Sequence, residues 1–424
     1  MADPDRAGDA RDGTGLVEDL FRRESAHLVA SLTRLFGPSN LALVEDVVQD
    51  ALLAAMQAWQ FGLPRDPKAW ILQAAKNRAI DIVRRDRRLV SLPPELDAGS
   101  NLAGAIDSAL SPADDGANQV AMMFSICDEG LSQETHVTLI LRLLCGLGPR
   151  EIARAFLLDT QTIDRRLHRG RLRLAQRGGL PDVTDARQVR DREPSVLQAL
   201  YLLFSEGYHG SNAEHPLRPA MCADAIRLVE LMVEQSGTDH VEAHALAALF
   251  CLDAARLPAR LDDEGVFVPL AEQDRARWDR SLIDRGLVHL AAAATGERVG
   301  RWHLEAGIAC EHAIAPSVEA TDWSRIVDWY DRLLLVAPGP IVALNRALAL
   351  AELRGPDAGR EALVALAHDE RLSNYPFFWA ALADVERRAG RPADARPLYQ
   401  RALAVSRNGA ERESFKRRLA ELPA

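Results

Sequence analysis

Residues 149–177 read PREIARAFLLDTQTIDRRLHRGRLRLAQR, and their pattern decides the fold class. Pro149 suits the first turn of a helix, where its missing N–H is not needed, so Pro149–Phe156 is predicted to be a short helix. Leu157, Leu158 and Asp159 make a tight connection, and Thr160–Arg177 reads as a longer helix. Along it Ile163, Leu167, Gly170 and Leu174 recur at the spacing of one buried seam. Thr162, Arg165, Arg166, Arg169 and Arg173 share the exposed face. A short helix, a three-residue turn and a long basic helix form the helix-turn-helix pattern. The N-terminal half of such a second helix can enter the major groove, where guanidinium groups meet guanine edges or phosphates.

Whole-chain composition hides this segment. The 424 residues carry 51 Lys+Arg and 61 Asp+Glu, a formal charge of −10, which taken alone argues against nucleic acid as a partner. Leu139–Leu180, however, holds nine Arg against Glu151, Asp159 and Asp164, a local balance of +6. Residues 1–180 total −2 and residues 181–424 total −8. A basic block in an acidic chain is the electrostatic footprint of a nucleic-acid binder. Cys127, Cys145, Cys222, Cys251 and Cys310 are scattered and form no Cys-x-x-Cys pair, as in a reducing compartment. No apolar run approaches the roughly 18 residues of a membrane span. The N-terminus has no signal-peptide h-region, so a cytoplasmic location with no membrane partner is expected.

Almost every periodic segment reads as helix, so the fold class is all-α. Residues 1–15 are polar and Gly/Asp-rich and are expected to be a disordered start. Residues 89–118 are rich in Pro, Gly, Ser and Asp and are expected to be a flexible linker, with a shorter one at 178–193. The expected divisions are therefore 16–88, the linker 89–118, 119–180, and a large helical remainder over 194–424.

In the first division Leu43–Trp59 is amphipathic. Val44, Val48, Ala51, Ala55 and Ala58 form one stripe; Asp46, Gln49, Asp50, Leu53 and Gln57 lie opposite. Asp66–Arg85 is a second helix, with Asp66 at the expected N-cap and Pro67 at the first helical position. Its core stripe is Ile71, Ala74, Ala75, Arg78/Ala79 and Ile82. Asn77, Asp81, Arg84 and Arg88 recur on another face, with Arg85 and Arg87 adding charge. Arg and Asn on one face suit phosphates and base edges.

Together the two divisions resemble sigma factors of the extracytoplasmic-function type, sigma-70-family proteins built from regions 2 and 4 joined by a flexible linker. The resemblance rests in region 2 on Glu45–Ala51, on Ala69-Trp70-Ile71 and on Ala75-Lys76-Asn77-Arg78, with Asp81, Arg84 and Arg85. In region 4 it rests on Glu151-Ile152-Ala153 and on Thr162–Arg171. It implies a helical bundle for region 2, a helix-turn-helix for region 4, and two partners: core RNA polymerase, through its β′ coiled coil and β flap, and promoter DNA. Asp46, Gln49 and Asp50 would dock on the coiled coil. Trp70 would assist strand opening, and Asn77, Arg78, Asp81, Arg84 and Arg85 would meet the −10 element as separated bases. Thr160, Thr162, Arg165, Arg166, Arg169 and Arg171 would meet the −35 element as duplex. Asp164 and Arg165 stand where family members often carry Lys and Ser, and Phe124–Gly130 (FSICDEG) replaces a Cys-Cys-His-Pro-like segment.

Residues 194–424 resemble the C-terminal extension of one subgroup of these factors. The matching stretches are Leu200–Ser211, Met221–Leu228, Gln273–Asp279, Thr321-Asp322-Trp323 and Tyr330-Asp331. Independently, Trp379, Leu382, Ala383, Gly390, Ala395, Tyr399 and Ala402 fall at tetratricopeptide positions, and solenoids of that kind bind partners rather than perform chemistry. The extension is expected to regulate the sigma modules in cis or to meet a regulatory protein. No enzyme activity and no cofactor are expected. Glu206, His209, His215 and Cys222, and likewise His303, Glu305 and His312, lack a recognised metal-ligand spacing. Asp262-Asp263-Glu264-Gly265 reads as an acidic turn rather than a calcium loop. The alternatives are a one-component helix-turn-helix regulator with a tetratricopeptide-like sensor, and a metal-dependent hydrolase within 194–330.

Overall fold

The computed structural model describes residues 5–85, 102–111, 116–156, 158–177, 179–181, 183, 185–209, 216–235, 240–296, 298–406 and 408–423. Arg87, Arg88, Ser211 and His215 lie outside them, as do 89–101 and 112–115 of the expected linker. The described residues contain no β-strand, only one isolated bridge between Leu261 and Phe267. The chain is all-α and divides into two compact units, one of 1–206 with 234–238, the other of 207–233 with 239–424.

The first unit opens with α1 (Asp5–Phe36), which begins inside the stretch expected to be disordered. Leu28, Leu32 and Phe36 on α1 are fully buried. Helix α2 (Leu41–Ala58) and helix α3 (Pro67–Arg85) follow. Val44, Val47, Val48, Ala51 and Ala55 of α2 face Ile71, Ala75, Ala79, Ile82 and Val83 of α3 as buried stripes, each larger side chain contributing roughly 1.5–3 kcal/mol of burial. The pattern departs from the sequence reading at Ala58, which is exposed, at Ala74, which is half-buried, and at Val47 and Val83, which are buried. Asp66 Oδ1 accepts the Ala69 N–H at 2.9 Å, so the N-cap forms as its side chain predicts.

Within the expected linker, Leu102–Ala109 forms a helix, α4, with Ile106 fully buried and Asp107 paired to Lys76 at 2.5 Å. The alternation of small and apolar residues there supports a short amphipathic helix despite the flanking Pro and Gly. Helices α5 (Ala117–Ser125) and α6 (Gln133–Leu139) follow, and α6 runs into a π-turn over Ile140–Leu144. Gly146 has φ of 70° and its α-carbon backs onto α1: a Cβ there would lie 2.7 Å from the Arg22 carbonyl oxygen. Only glycine meets both demands. Then come α7 (Pro149–Phe156), α8 (Thr160–Ala175) and α9 (Ala186–His209).

Helix α9 crosses the boundary expected near residue 194. Its first half belongs to the first unit, where Arg192 Nη1 donates to the Phe124 carbonyl at 3.1 Å and Ser195 Oγ lies 3.4 Å from His136 Nδ1.

The second unit is built from α10 (Pro219–Gln235), α11 (Val241–Ala254), α12 (Arg280–Ala293), α13 (Arg301–Ile314), α14 (Trp323–Val336), α15 (Pro340–Arg354), α16 (Pro356–Ala365), α17 (Glu370–Ser373), α18 (Pro376–Arg388), α19 (Pro392–Val405) and α20 (Gly409–Ala420). Helix α11 is apolar almost all round and buried accordingly, from Ala243 to Ala254. Helices α15–α16 and α18–α19 are hairpins whose turns pass through Gly355 and Gly390 at positive φ. Leu382, Ala383, Ala395, Tyr399 and Ala402 are buried between or beside them. The Asp262–Gly265 segment is a turn closed by Asp262 and held by ion pairs from Arg417 to Asp262 and Glu264.

Candidate polymerase and nucleic-acid interface

Asp159 caps α8 from outside the helix: its Oδ1 accepts the Thr162 N–H at 2.8 Å and its Oδ2 the Thr162 hydroxyl at 2.9 Å. These bonds hold the Asp159 carboxyl below its ordinary range. The Thr162 side chain is thereby engaged by the cap, and Thr160 opens the helix as its first residue.

The buried seam of α8 is Ile163, Leu167, Gly170 and Leu174, as the spacing predicts. Gly170 lies so close to Leu139 of α6 that a Cβ would sit 2.7 Å from its Cδ1. That seam turns Arg165 and Arg169 outward, and both are exposed. Arg166 lies with its guanidinium 5.3 Å over the ring of Phe156 on α7, and its Nη1 is buried without a hydrogen-bond partner. Stacking fixes the side chain while leaving a donor to fill, an arrangement that suits an anionic oxygen.

Two arginines, Arg171 expected to meet duplex DNA and Arg173 expected on the exposed face, are engaged within the unit. Arg171 Nη2 lies 2.5 Å from Glu45 Oε1 on α2, which ties α8 to the first three helices. Arg173 Nε lies 3.0 Å from Asp128 Oδ1, so Arg173 does not share the open face with Arg165 and Arg169.

Asp128 is the residue that sequence reading missed. It lies in the FSICDEG stretch, is buried, and also holds Arg177 at 3.3 Å. Its Oδ1 accepts the Gly130 N–H at 2.8 Å, while its own N–H donates to His136 Nε2 at 3.1 Å. Burial alone would raise the Asp128 carboxyl, but the Gly130 N–H, Arg173 and Arg177 outweigh it and hold it below its ordinary value. The replaced segment thus clamps the C-terminal half of α8. A buried acid followed by glycine, with two arginines downstream, was the available signal. Cys127 beside it is buried, which pushes its thiol up to about 12, far from a reactive thiolate.

On α2, Asp46 and Gln49 are exposed, and Leu53 and Met56 extend their face with 46% and 59% exposure. Apolar side chains standing open among polar ones mark an interaction surface more than a solvated face does. Asp50 does not stand alone there: Arg78 of α3 pairs with it at 2.6 Å, joining two residues expected to serve different partners. Asn77, Asp81, Arg84 and Arg85 are exposed along α3, and Asn77 Oδ1 accepts from Gln73 at 2.9 Å. Trp70 is half-buried, edge-on to Trp59 at 5.6 Å, and Trp59 in turn packs on Phe21 at 5.4 Å.

In the second unit the residues weighed as metal ligands have other partners. His303 Nδ1 accepts the Gly300 N–H at 3.2 Å, Glu305 pairs with Arg301 at 2.7 Å, and His312 packs edge-on to Trp323 at 5.4 Å. No helix among the described residues is long and apolar enough to cross a membrane.

Comparison with known proteins bears on two stretches of the chain. Residues 20–89 match the sigma-70 region 2 family, and residues 192–294 match a family of unknown function, DUF6596. An uncharacterized protein of Rhizobium meliloti (strain 1021) is 33% identical over 418 residues, covering 97% of each chain. No solved structure matches the chain. The chain belongs to the same family as that Rhizobium protein and, through its region 2, to the sigma-70 family, with a sigma-factor-like role in transcription initiation.

Proposed function

We propose that the protein is an extracytoplasmic-function sigma factor that brings core RNA polymerase to specific promoters. Residues 119–180 serve as region 4, and the observation that carries this reading is α8. Its N-terminus is capped by Asp159, Arg165 and Arg169 stand open, and Arg166 presents a buried, unfilled donor. Arg165, Arg166 and Arg169 read the −35 element as duplex. Arg171 joins them once Glu45 releases it.

Residues 16–88 act as region 2. Asp46 and Gln49, continued by Leu53 and Met56, form the polymerase-docking face. Asp50 takes part in it when Arg78 turns to the −10 element with Asn77, Asp81, Arg84 and Arg85. Trp70, supported by Trp59, sits where opened bases can stack. Such a role places the protein in the cytoplasm with the polymerase. It also requires no catalysis by the chain itself.

The helical hairpins after residue 340 act as a tetratricopeptide-like surface that regulates the sigma modules in cis or through a partner protein. A deletion intended to test this must not cut at Arg177, because Arg192 and Ser195 belong to the first unit.

The decisive test is run-off transcription with core polymerase over a genomic promoter library. Full-length protein should support initiation at a defined promoter set, and Asp46→Arg with Leu53→Asp should abolish it while leaving the fold intact. Duplex binding without polymerase, and no initiation at any promoter, would instead favour a one-component regulator.

A further inference from the structure

Three parts of the second unit, Tyr208, Gln273–Asp279 and the segment of Tyr330, lie around one guanidinium, that of Arg256 just after α11. Arg256 Nε donates to Gln273 Oε1 at 3.3 Å, and its guanidinium lies 5.9 Å over the ring of Trp278. Arg275 stands 4.6 Å over the same ring and donates to the carbonyls of His312 and Ala315 at 2.5 and 2.9 Å. Arg260 lies 3.7 Å over the ring of Tyr208. His312 is within electrostatic reach of Arg256 and Arg275, and Tyr330 is within reach of Glu305 and Asp253 as well as of Arg256.

Charge in this cluster is out of balance. Among the described residues, Arg256, Arg260 and Arg275 have no carboxylate within hydrogen-bond distance; Asp253 approaches Arg256 only to 3.7 Å. Glu305 is taken by Arg301 at 2.7 Å. Burial raises the carboxyls of Asp253 and Glu305 above their ordinary values, which weakens them further as counter-charges. Burial also lowers Arg260 and Arg275, and Arg256 adds to both effects, against an opposing influence of Tyr208 and Asp253 on Arg260 and of Glu319 on Arg275.

Uncompensated guanidiniums in a desolvated place are costly unless something negative joins them. Two neutral donors wait nearby: Trp278 Nε1 and His312 Nδ1 are buried with no hydrogen-bond partner. Water still reaches the cluster, since the side chains of Asp253 and Arg256 keep 25% and 16% exposure. A donor-rich, arginine-dominated site in an acidic chain selects its ligand by charge and by acceptor count.

We propose that Arg256, Arg260 and Arg275, with Tyr330 and His312, form a binding site for a small oxyanion, a phosphate- or carboxylate-bearing metabolite. The site stands independently of the sigma-factor reading, because no residue of the first unit contributes to it. It makes the C-terminal unit a sensor domain with a chemical input.

The test uses the full-length protein in thermal-unfolding titrations with inorganic phosphate and, separately, succinate, each against sodium chloride at equal ionic strength. A saturable rise in melting temperature with phosphate marks a phosphate-bearing ligand, and one with succinate marks a carboxylate; chloride should give neither. Arg256→Gln should weaken the effective anion at least tenfold. Tyr330→Phe, which keeps the ring and the packing, should weaken it a few-fold with the unliganded melting temperature unchanged. No saturable rise above chloride with either anion would overturn the proposal. So would unchanged affinity in Tyr330→Phe together with Arg256→Gln.

Discussion

Arg171 of α8 places its Nη2 2.5 Å from Oε1 of Glu45, on a helix 126 residues earlier in the chain. Both side chains are about a quarter to a third exposed, so the pair is moderate in strength but specific in geometry. On the reading proposed above, the modules that carry the two helices contact elements about 25 base pairs apart, ~85 Å along B-form DNA at 3.4 Å per base pair. The pair cannot persist in that state. The arrangement with Glu45 on Arg171 is a closed one, and engagement of both elements must open it.

Glu45→Gln should therefore favour opening. An exposed ion pair is worth about 0.2–1 kcal/mol, so affinity for a duplex carrying the −35 element should rise roughly two- to five-fold. Fluorescence anisotropy with labelled duplex measures it. An unchanged affinity would show that the pair does not restrain the helix.

Arg165 and Arg169 can be assigned by how their loss alters binding. Replacing a residue that reads a base edge should cost about 1–3 kcal/mol and relax preference at one position. Replacing one that contacts phosphate should weaken all sequences alike and reduce the salt slope by about 1. Arg165→Ala and Arg169→Ala, titrated on specific and scrambled duplex at several salt concentrations, separate the two roles. If neither variant weakens binding, α8 is not the reading helix.

Acid should release the clamp on the far end of α8. Asp128 is held below its ordinary value of 3.8, so the stability it supplies is present above that value and lost as pH falls through the lower, folded one. At neutral pH Asp128→Asn should destabilise the first unit by about 1 kcal/mol, the low end for a buried charged acceptor because Arg173 is half exposed. The difference between wild type and variant in urea unfolding should shrink below pH 3.8. A difference independent of pH would place the effect in packing instead.

Gly170→Ala tests the seam directly. The added methyl would meet Leu139, which is wholly buried and has no room to withdraw. Overpacking of this kind costs about 1–3 kcal/mol, readable as a lower urea midpoint with an unchanged slope. A neutral result would mean that α6 and α8 can slide apart without penalty.

Much of the fold was legible from contiguous residues. The seam Ile163, Leu167, Gly170 and Leu174, the N-cap at Asp66 and the exposed pair Arg165 and Arg169 all follow from helical periodicity and local hydrogen bonding, which operate within a few residues. The first turns of α1, before residue 16, and the short helix at Leu102–Ala109 were read as a disordered start and a linker, because their Gly and Asp content disfavours helix locally, while burial of Ile106 decides otherwise at the second.

The sequence by itself determined the helical class, the short helix before the long basic helix α8, and the basic block within an acidic chain. Those depend on spacing and composition along a single stretch. Only the tertiary structure decided which charges are spent and which stay open. Asp128 meets Arg173 across 45 residues, Glu45 meets Arg171 across 126, and Arg256 gathers side chains from three separate stretches. Each meeting is set by how helices pack, and a one-dimensional pattern carries no record of which faces will touch.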